Sequence, residues 1–218
     1  MRVGIVLGVS LGLGLAGAAP AAAAPSVLVG PGTGYVTTGG IDDLTACSFA
    51  AVGYDSGRRL VGLTAGHCVL APGLPVTLIG SPAAGPVGKT VIGHWGPDYG
   101  VIELDPEKVI PVASTGGVTV TDIGPAAPGQ QVCKSGAATS ITCGSVLEVR
   151  TDTDIVTATP TLWADSGGAL VSGTTLVGIA SHADTVPVVG PTVYASASES
   201  LARLNARGGV GAGFTPVR

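Results

Sequence analysis

Trp163-Ala164-Asp165-Ser166-Gly167-Gly168-Ala169-Leu170 is the stretch on which the reading of this chain turns. Two glycines directly after a serine allow backbone angles and close approaches that other residues resist. A serine placed there can stand with backbone N–H groups converging on its hydroxyl, the geometry that stabilises a developing oxyanion. An ordinary tight turn is the competing reading of Asp-Ser-Gly-Gly, so the motif needs partners elsewhere in the chain.

A serine hydroxyl is a weak nucleophile at neutral pH and needs a base with a third group to orient it. Histidine suits the base, since it titrates near neutrality, and the chain has three: His67, His94 and His182. His67 lies in Leu63-Thr64-Ala65-Gly66-His67-Cys68, where a β-rich run ends and a cysteine sits directly beside the imidazole. A disulfide at Cys68 would pin that backbone, and a catalytic base requires such rigidity. A core histidine at a strand end is the plain alternative. Asp98 opens the apolar run Asp98-Tyr99-Gly100-Val101-Ile102. An acid at a half-buried strand end must be hydrogen-bonded, although a turn aspartate after Pro97 is also common.

Working outward, Met1-Arg2, the uncharged apolar run 3–17 and the small residues 18–24 have the layout of a secretory signal peptide. The apolar run is shorter than the ~20 residues of a spanning helix. Residues 1–24 are therefore expected to be removed, leaving 25–218 as a secreted domain without a membrane segment. Only a short stretch separates this leader from Cys47. The net charge of −4 is mild and there is no Lys/Arg run, which argues against nucleic acid as a partner. The four cysteines, Cys47, Cys68, Cys133 and Cys143, form an even set in an exported chain and imply disulfides. Three pairings are possible; the local one would contribute about 2 to 3 kcal/mol per bond in the loop-entropy model. A zinc site is disfavoured, for there is no Cys-x-x-Cys pair.

With 36 glycines and only 11 % charged residues, the chain favours short strands and tight turns over long helices. Apolar runs of strand length fall at 46–52, 59–64, 75–79, 89–92, 99–104, 131–134, 141–149, 155–158, 169–172, 175–180 and 193–196, with a crossing segment at 109–119. The first two suggest a hairpin around Asp55-Ser56-Gly57. That count fits an all-β sandwich or a pair of barrels. One helix is expected after Ser196, where Glu199 completes a capping box, and Gly208-Gly209 ends it. Residues 208–218 read as a loose tail.

Taken in order, Thr64-Ala65-Gly66-His67-Cys68, Asp98-Tyr99-Gly100-Val101-Ile102 and Asp165-Ser166-Gly167-Gly168 resemble the chymotrypsin-fold serine proteases. Val132-Cys133-Lys134-Ser135-Gly136 with Cys143-Gly144 is similar to a disulfide loop of the bacterial secreted streptogrisin and α-lytic protease branch. The resemblance implies two antiparallel six-stranded β-barrels, at about 40–115 and 125–207, and a short C-terminal helix. It implies a secreted serine endopeptidase with His67 as general base, Asp98 orienting it and Ser166 as nucleophile. The N–H groups of Ala164 and Ser166 would form the oxyanion hole. Cys47–Cys68 and Cys133–Cys143 would be the bonded pairs. Asp165 would pair with Lys134, which stands where the branch has arginine, with Arg150 as the fallback. Thr161, Leu162, Trp163, Ser181, His182 and Ala183 would line a small, apolar or mildly polar pocket. The expected partner is a peptide or protein substrate of a monomeric enzyme, with no metal and no organic cofactor.

The chain departs from that pattern at Ala164, where the family has glycine, and in having no cysteine flanking the pocket near Ser166. An α/β-hydrolase is a poor fit, because Ala164 breaks Gly-x-Ser-x-Gly and the best histidine comes first. The alternative is a non-catalytic or weakly active secreted binding protein of the same fold.

Overall fold

The computed structural model describes residues 26–39, 44–150, 153–183 and 190–218. The expected signal peptide, 1–24, lies outside the described residues.

The strand signals between residues 46 and 104 assemble into one sheet, together with Gly34–Thr38, a strand that sequence reasoning missed. In it Ala51–Tyr54 is followed by Leu60–Thr64, Tyr99–Leu104, Pro86–His94, Pro75–Leu78, Gly34–Thr38 and Leu44–Ser48. The first and last of these are two halves of one bent strand. It breaks at Phe49-Ala50, where the Phe49 N–H donates to Thr33 and the Ala50 N–H to Leu63. Leu44–Ser48 pairs with Gly34–Thr38, and Ala51–Tyr54 pairs with Leu60–Thr64. The sheet thus begins and ends on the same strand, a ring of six that leaves few unpaired edges. Tyr35, Phe49, Leu63, Val101 and Ile102 are buried in the core built on this sheet, with the Tyr35 and Phe49 rings 4.7 Å apart.

The second sheet closes by hydrogen bonds alone. Thr175–Ala183, Ala169–Ser172, Gln131–Gly136, Ser140–Val149, Asp154–Thr157 and Thr192–Ser196 follow in order, and the last pairs back to the first. Val132, Val146, Ile155, Leu170 and Tyr194 fill part of its core. The expected crossing segment is a set of short pieces. Val109–Pro111 runs parallel to Val27–Val29, and Ser114–Thr115 pairs with Val118–Thr119 across Gly116-Gly117.

The helix is Ala197–Arg207, and the Ser196 hydroxyl accepts the Glu199 N–H. It ends at Gly208, whose N–H returns to Leu204. Beyond it the structure corrects the sequence reading, because residues 208–218 are not loose. Thr215–Pro216 pairs with Tyr54 and Gly53, and the Val217 N–H donates to Val52. Phe214 is buried, and the buried Asp55 carboxylate accepts the Gly211 N–H at 3.0 Å. The glycine-rich composition suggested mobility, yet it lets the tail lie close against the first barrel, where long-range bonds fix it.

Candidate active site

The buried strand Leu60–Thr64 leads through Ala65 into a tight turn, Gly66–Cys68, that carries His67. Its antiparallel neighbour Tyr99–Leu104 pairs Gly100 with Thr64. His67 lies just past the end of one strand and Asp98 just before the start of the other, so the register brings them together. The Asp98 carboxylate accepts from the His67 ring Nδ1 at 2.7 Å and from the His67 backbone N–H at 2.9 Å. A carboxylate only accepts, so Nδ1 carries a proton, and in the neutral imidazole it is Nε2 that holds the lone pair. Cys68 is joined to Cys47, which anchors this turn to Leu44–Ser48. Gly66 is required here, because a Cβ would collide with the His94 backbone.

Burial pushes the Asp98 carboxyl upward. Hydrogen bonds from His67 and Ser181, with the His67 charge, outweigh that and hold it below the ordinary aspartate range. The Ser181 hydroxyl donates to Asp98 Oδ2 at 2.6 Å and lies 3.0 Å from His182 Nδ1. With its proton committed to Asp98, Ser181 Oγ can only accept from His182, whose Nδ1 is then the protonated nitrogen.

Ser166 sits in the loop between Asp154–Thr157 and Ala169–Ser172. Its hydroxyl donates to the Ser181 carbonyl at 3.4 Å; among the described residues it makes no hydrogen bond to His67. Leu162-Trp163-Ala164-Asp165 is a turn closed by the Asp165 N–H on the Leu162 carbonyl at 3.1 Å. Ala164 occupies its third position with φ of 73°, the left-handed conformation that a type II turn demands there and that usually selects glycine. Alanine adopts it at a cost of about 1–2 kcal/mol. Among the described residues, neither the Ala164 nor the Ser166 N–H has a hydrogen-bond partner. Gly167 follows, also left-handed, and a Cβ on it would strike the Ser48 carbonyl and the Thr64 hydroxyl.

Beneath the loop, Asp165 is fully buried and meets Lys134 Nζ at 2.9 Å. Arg150 does not take this place; its Nε faces Glu148. The Asp165 carboxylate also accepts from the Thr139 hydroxyl at 2.6 Å and from the N–H groups of Ala138, Thr139 and Leu162 at 2.9–3.0 Å. Burial would raise this carboxyl, but these donors hold it below the usual range. Burial lowers the Lys134 ammonium, and Asp165 pulls it back toward its ordinary value. The second disulfide, Cys133–Cys143, ties the strand that bears Lys134 to Ser140–Val149.

His67, Asp98, Ala164 and Ser166 line one cleft of about 1010 Å³. Thr161, Leu162, Trp163, Ser181, His182 and Ala183 line the same cleft. So do Leu44, Trp95 and Asp154, which sequence reasoning missed. Trp163 and Trp95 are 91 % and 71 % exposed, so the rim is strongly apolar. Sequence reasoning also missed Ser48 and Thr139. Ser48 had one legible signal, its place beside Cys47; Thr139 had none. Cys47, His67 and Cys68 cluster within 4.8 Å, but both sulfurs are committed to the disulfide, so this is no thiolate metal site. Among the described residues, no helix is long and apolar enough to cross a membrane.

No family model and no curated protein matches the chain. Solved structures do. A Nocardiopsis protease superposes with a TM-score of 0.68 at 23 % identity, covering 82 % of this chain and 97 % of that one. Protease A of Thermobifida fusca gives 0.68 at 24 %, covering 88 % and 99 %. An inactivated protease paralogue from the scabies mite gives 0.56 at 16 %, covering 81 % and 94 %. Likeness at this level speaks for the fold and leaves activity to the residues of the cleft. The chain has the chymotrypsin fold, in the form built by bacterial serine proteases.

Proposed function

We propose that the protein is a secreted serine endopeptidase that cleaves peptide bonds through an acyl-enzyme on Ser166. The observation that carries this reading is the double grip of Asp98 on His67, by ring and by backbone, within the cleft that holds Ser166. That grip fixes the tautomer in which Nε2 is free to take the Ser166 proton as Oγ attacks the scissile carbonyl. Asp98 stabilises the imidazolium that results. The tetrahedral oxyanion would be received by the N–H groups of Ala164 and Ser166. His67 then gives its proton to the leaving amine, and a water repeats the sequence on the acyl-enzyme. Two disulfides suit an extracellular location. The expected substrate is a peptide or protein strand laid in the cleft.

A second reading, a weakly active or non-catalytic binding protein, is favoured by two observations: the left-handed Ala164 and the Ser166 hydroxyl turned to Ser181. Labelling by a fluorophosphonate probe separates the two. Folded wild-type protein is expected to label and Ser166→Ala not to. Absence of label on folded wild-type protein would overturn the protease reading.

A further inference from the structure

Ser48 belongs to the first barrel, yet its polar atoms reach the catalytic loop of the second. Its hydroxyl donates to the Ala164 carbonyl at 2.6 Å and accepts the Ala137 N–H at 2.9 Å. Its backbone N–H donates to the Ser166 carbonyl at 2.7 Å. Its own carbonyl accepts the Thr64 hydroxyl at 2.9 Å, and Thr64 is bonded in turn to the Tyr35 hydroxyl at 2.8 Å. Ser48 is wholly buried, so no water competes for these bonds.

The carbonyls of Ala164 and Ser166 lie on the two peptide planes that flank the plane bearing the Ser166 N–H. Fixing both outer planes leaves the middle one little freedom, and with it the direction of that N–H and of the Ser166 Cα–Cβ bond. Next in sequence to Ser48, Cys47 holds Cys68, the neighbour of His67. Adjacent residues of one strand thus secure the base and the nucleophile separately.

We propose that Ser48 is a positioning residue, whose hydroxyl and N–H hold the Ala164–Ser166 segment in register with His67 across the barrel interface. It touches no reacting atom and acts through the loop. The catalytic arm of its test rests on the protease reading above; the exchange arm does not.

The test compares wild-type protein with Ser48→Ala, which removes the hydroxyl and keeps the N–H. Amide hydrogen exchange reads the loop at Asp165, Gly167 and Gly168, whose N–H groups donate to Leu162, Ala180 and Asp165 respectively. In S48A these amides are expected to exchange about tenfold faster, the equivalent of one lost buried hydrogen bond. Amides of Leu60–Thr64 should keep their wild-type rates. With a peptide ester substrate, kcat is expected to fall by about tenfold or more while KM stays within about twofold, the mark of a contact realised in the transition state.

Unchanged loop exchange, or acceleration spread evenly over the molecule, would overturn the proposal, as would an unchanged kcat in an active enzyme. If wild-type protein is folded but takes no fluorophosphonate, the protease reading falls and loop exchange alone decides the role of Ser48. Should S48A not fold, Ser48→Thr and Ser48→Val replace it. These two share a shape and differ in the hydroxyl, so slower loop exchange in S48T than in S48V is expected, and equal rates overturn the proposal.

Discussion

Replacing Lys134 by methionine keeps most of the side-chain volume and removes one charge from a site with no access to water. Removing one partner of a buried ion pair costs about 3–5 kcal/mol, because the other charge stays behind. The structure places this case at the lower end. Asp165 loses the Lys134 ammonium but keeps five donors: the Thr139 hydroxyl, the N–H groups of Ala138, Thr139 and Leu162, and the longer bond from the Thr161 hydroxyl. We expect K134M to lose about 3 kcal/mol, more than a hundredfold in the folding equilibrium. Urea denaturation followed by far-ultraviolet circular dichroism measures it. Tryptophan fluorescence would serve badly, since Trp95 and Trp163 are already exposed in the folded state.

The loss also has a pH signature. In the wild type, the Asp165 carboxyl sits below its unfolded value. Its contribution to stability is therefore complete above the unfolded value, near ~4, and vanishes as pH falls through the folded value. In K134M, burial without the ammonium raises the same carboxyl, so acid relieves the variant by neutralising a stranded charge. The gap between the two proteins should narrow on acidification. Equal midpoints at neutral pH, or a gap that widens in acid, would refute the reasoning.

Asp98→Asn would fix the wrong histidine tautomer, and fluorophosphonate labelling of the folded variant should slow by about 10⁴-fold. Ala164→Gly relieves a left-handed alanine and should raise stability by about 1 kcal/mol in urea melts, with labelling retained. Asp55→Ala removes the acceptor for the Gly211 N–H and for Arg59; a loss of about 1–3 kcal/mol is expected, with faster proteolytic nicking within residues 208–213. Replacing Cys133 and Cys143 by serine opens a short loop and should cost about 2–3 kcal/mol, read from the thermal midpoint.

Sequence reasoning draws on chemistry that is local. His67 beside Cys68, and Ser166 before two glycines, stand out as candidates because the turn residues that position them lie within a few residues. The capping of the helix by Ser196 is legible for the same reason. What escaped depends on contacts across the molecule. Ser48 meets Ala164 at a separation of 116 residues, and Asp55 meets Gly211 at 156; no spacing rule spans such distances. The break at Phe49-Ala50, which turns an open sheet into a ring, is equally hidden, because both halves of the bent strand read as one apolar run. Composition misled at the tail, whose glycines signal freedom in an isolated chain and permit close docking in a folded one.

That docking has a bearing on how the molecule is made. Synthesis proceeds from the first barrel to the second, yet the strand Ala51–Tyr54 gains its outer neighbour only from Thr215–Pro216. A nascent chain that has emerged as far as residue 210 carries every other strand of the first sheet and still presents that flank bare, its N–H and C=O groups open to any passing strand. The earliest half to leave the ribosome is thus the last to be sealed. A halted or clipped chain would expose a pairing surface that the finished protein keeps covered.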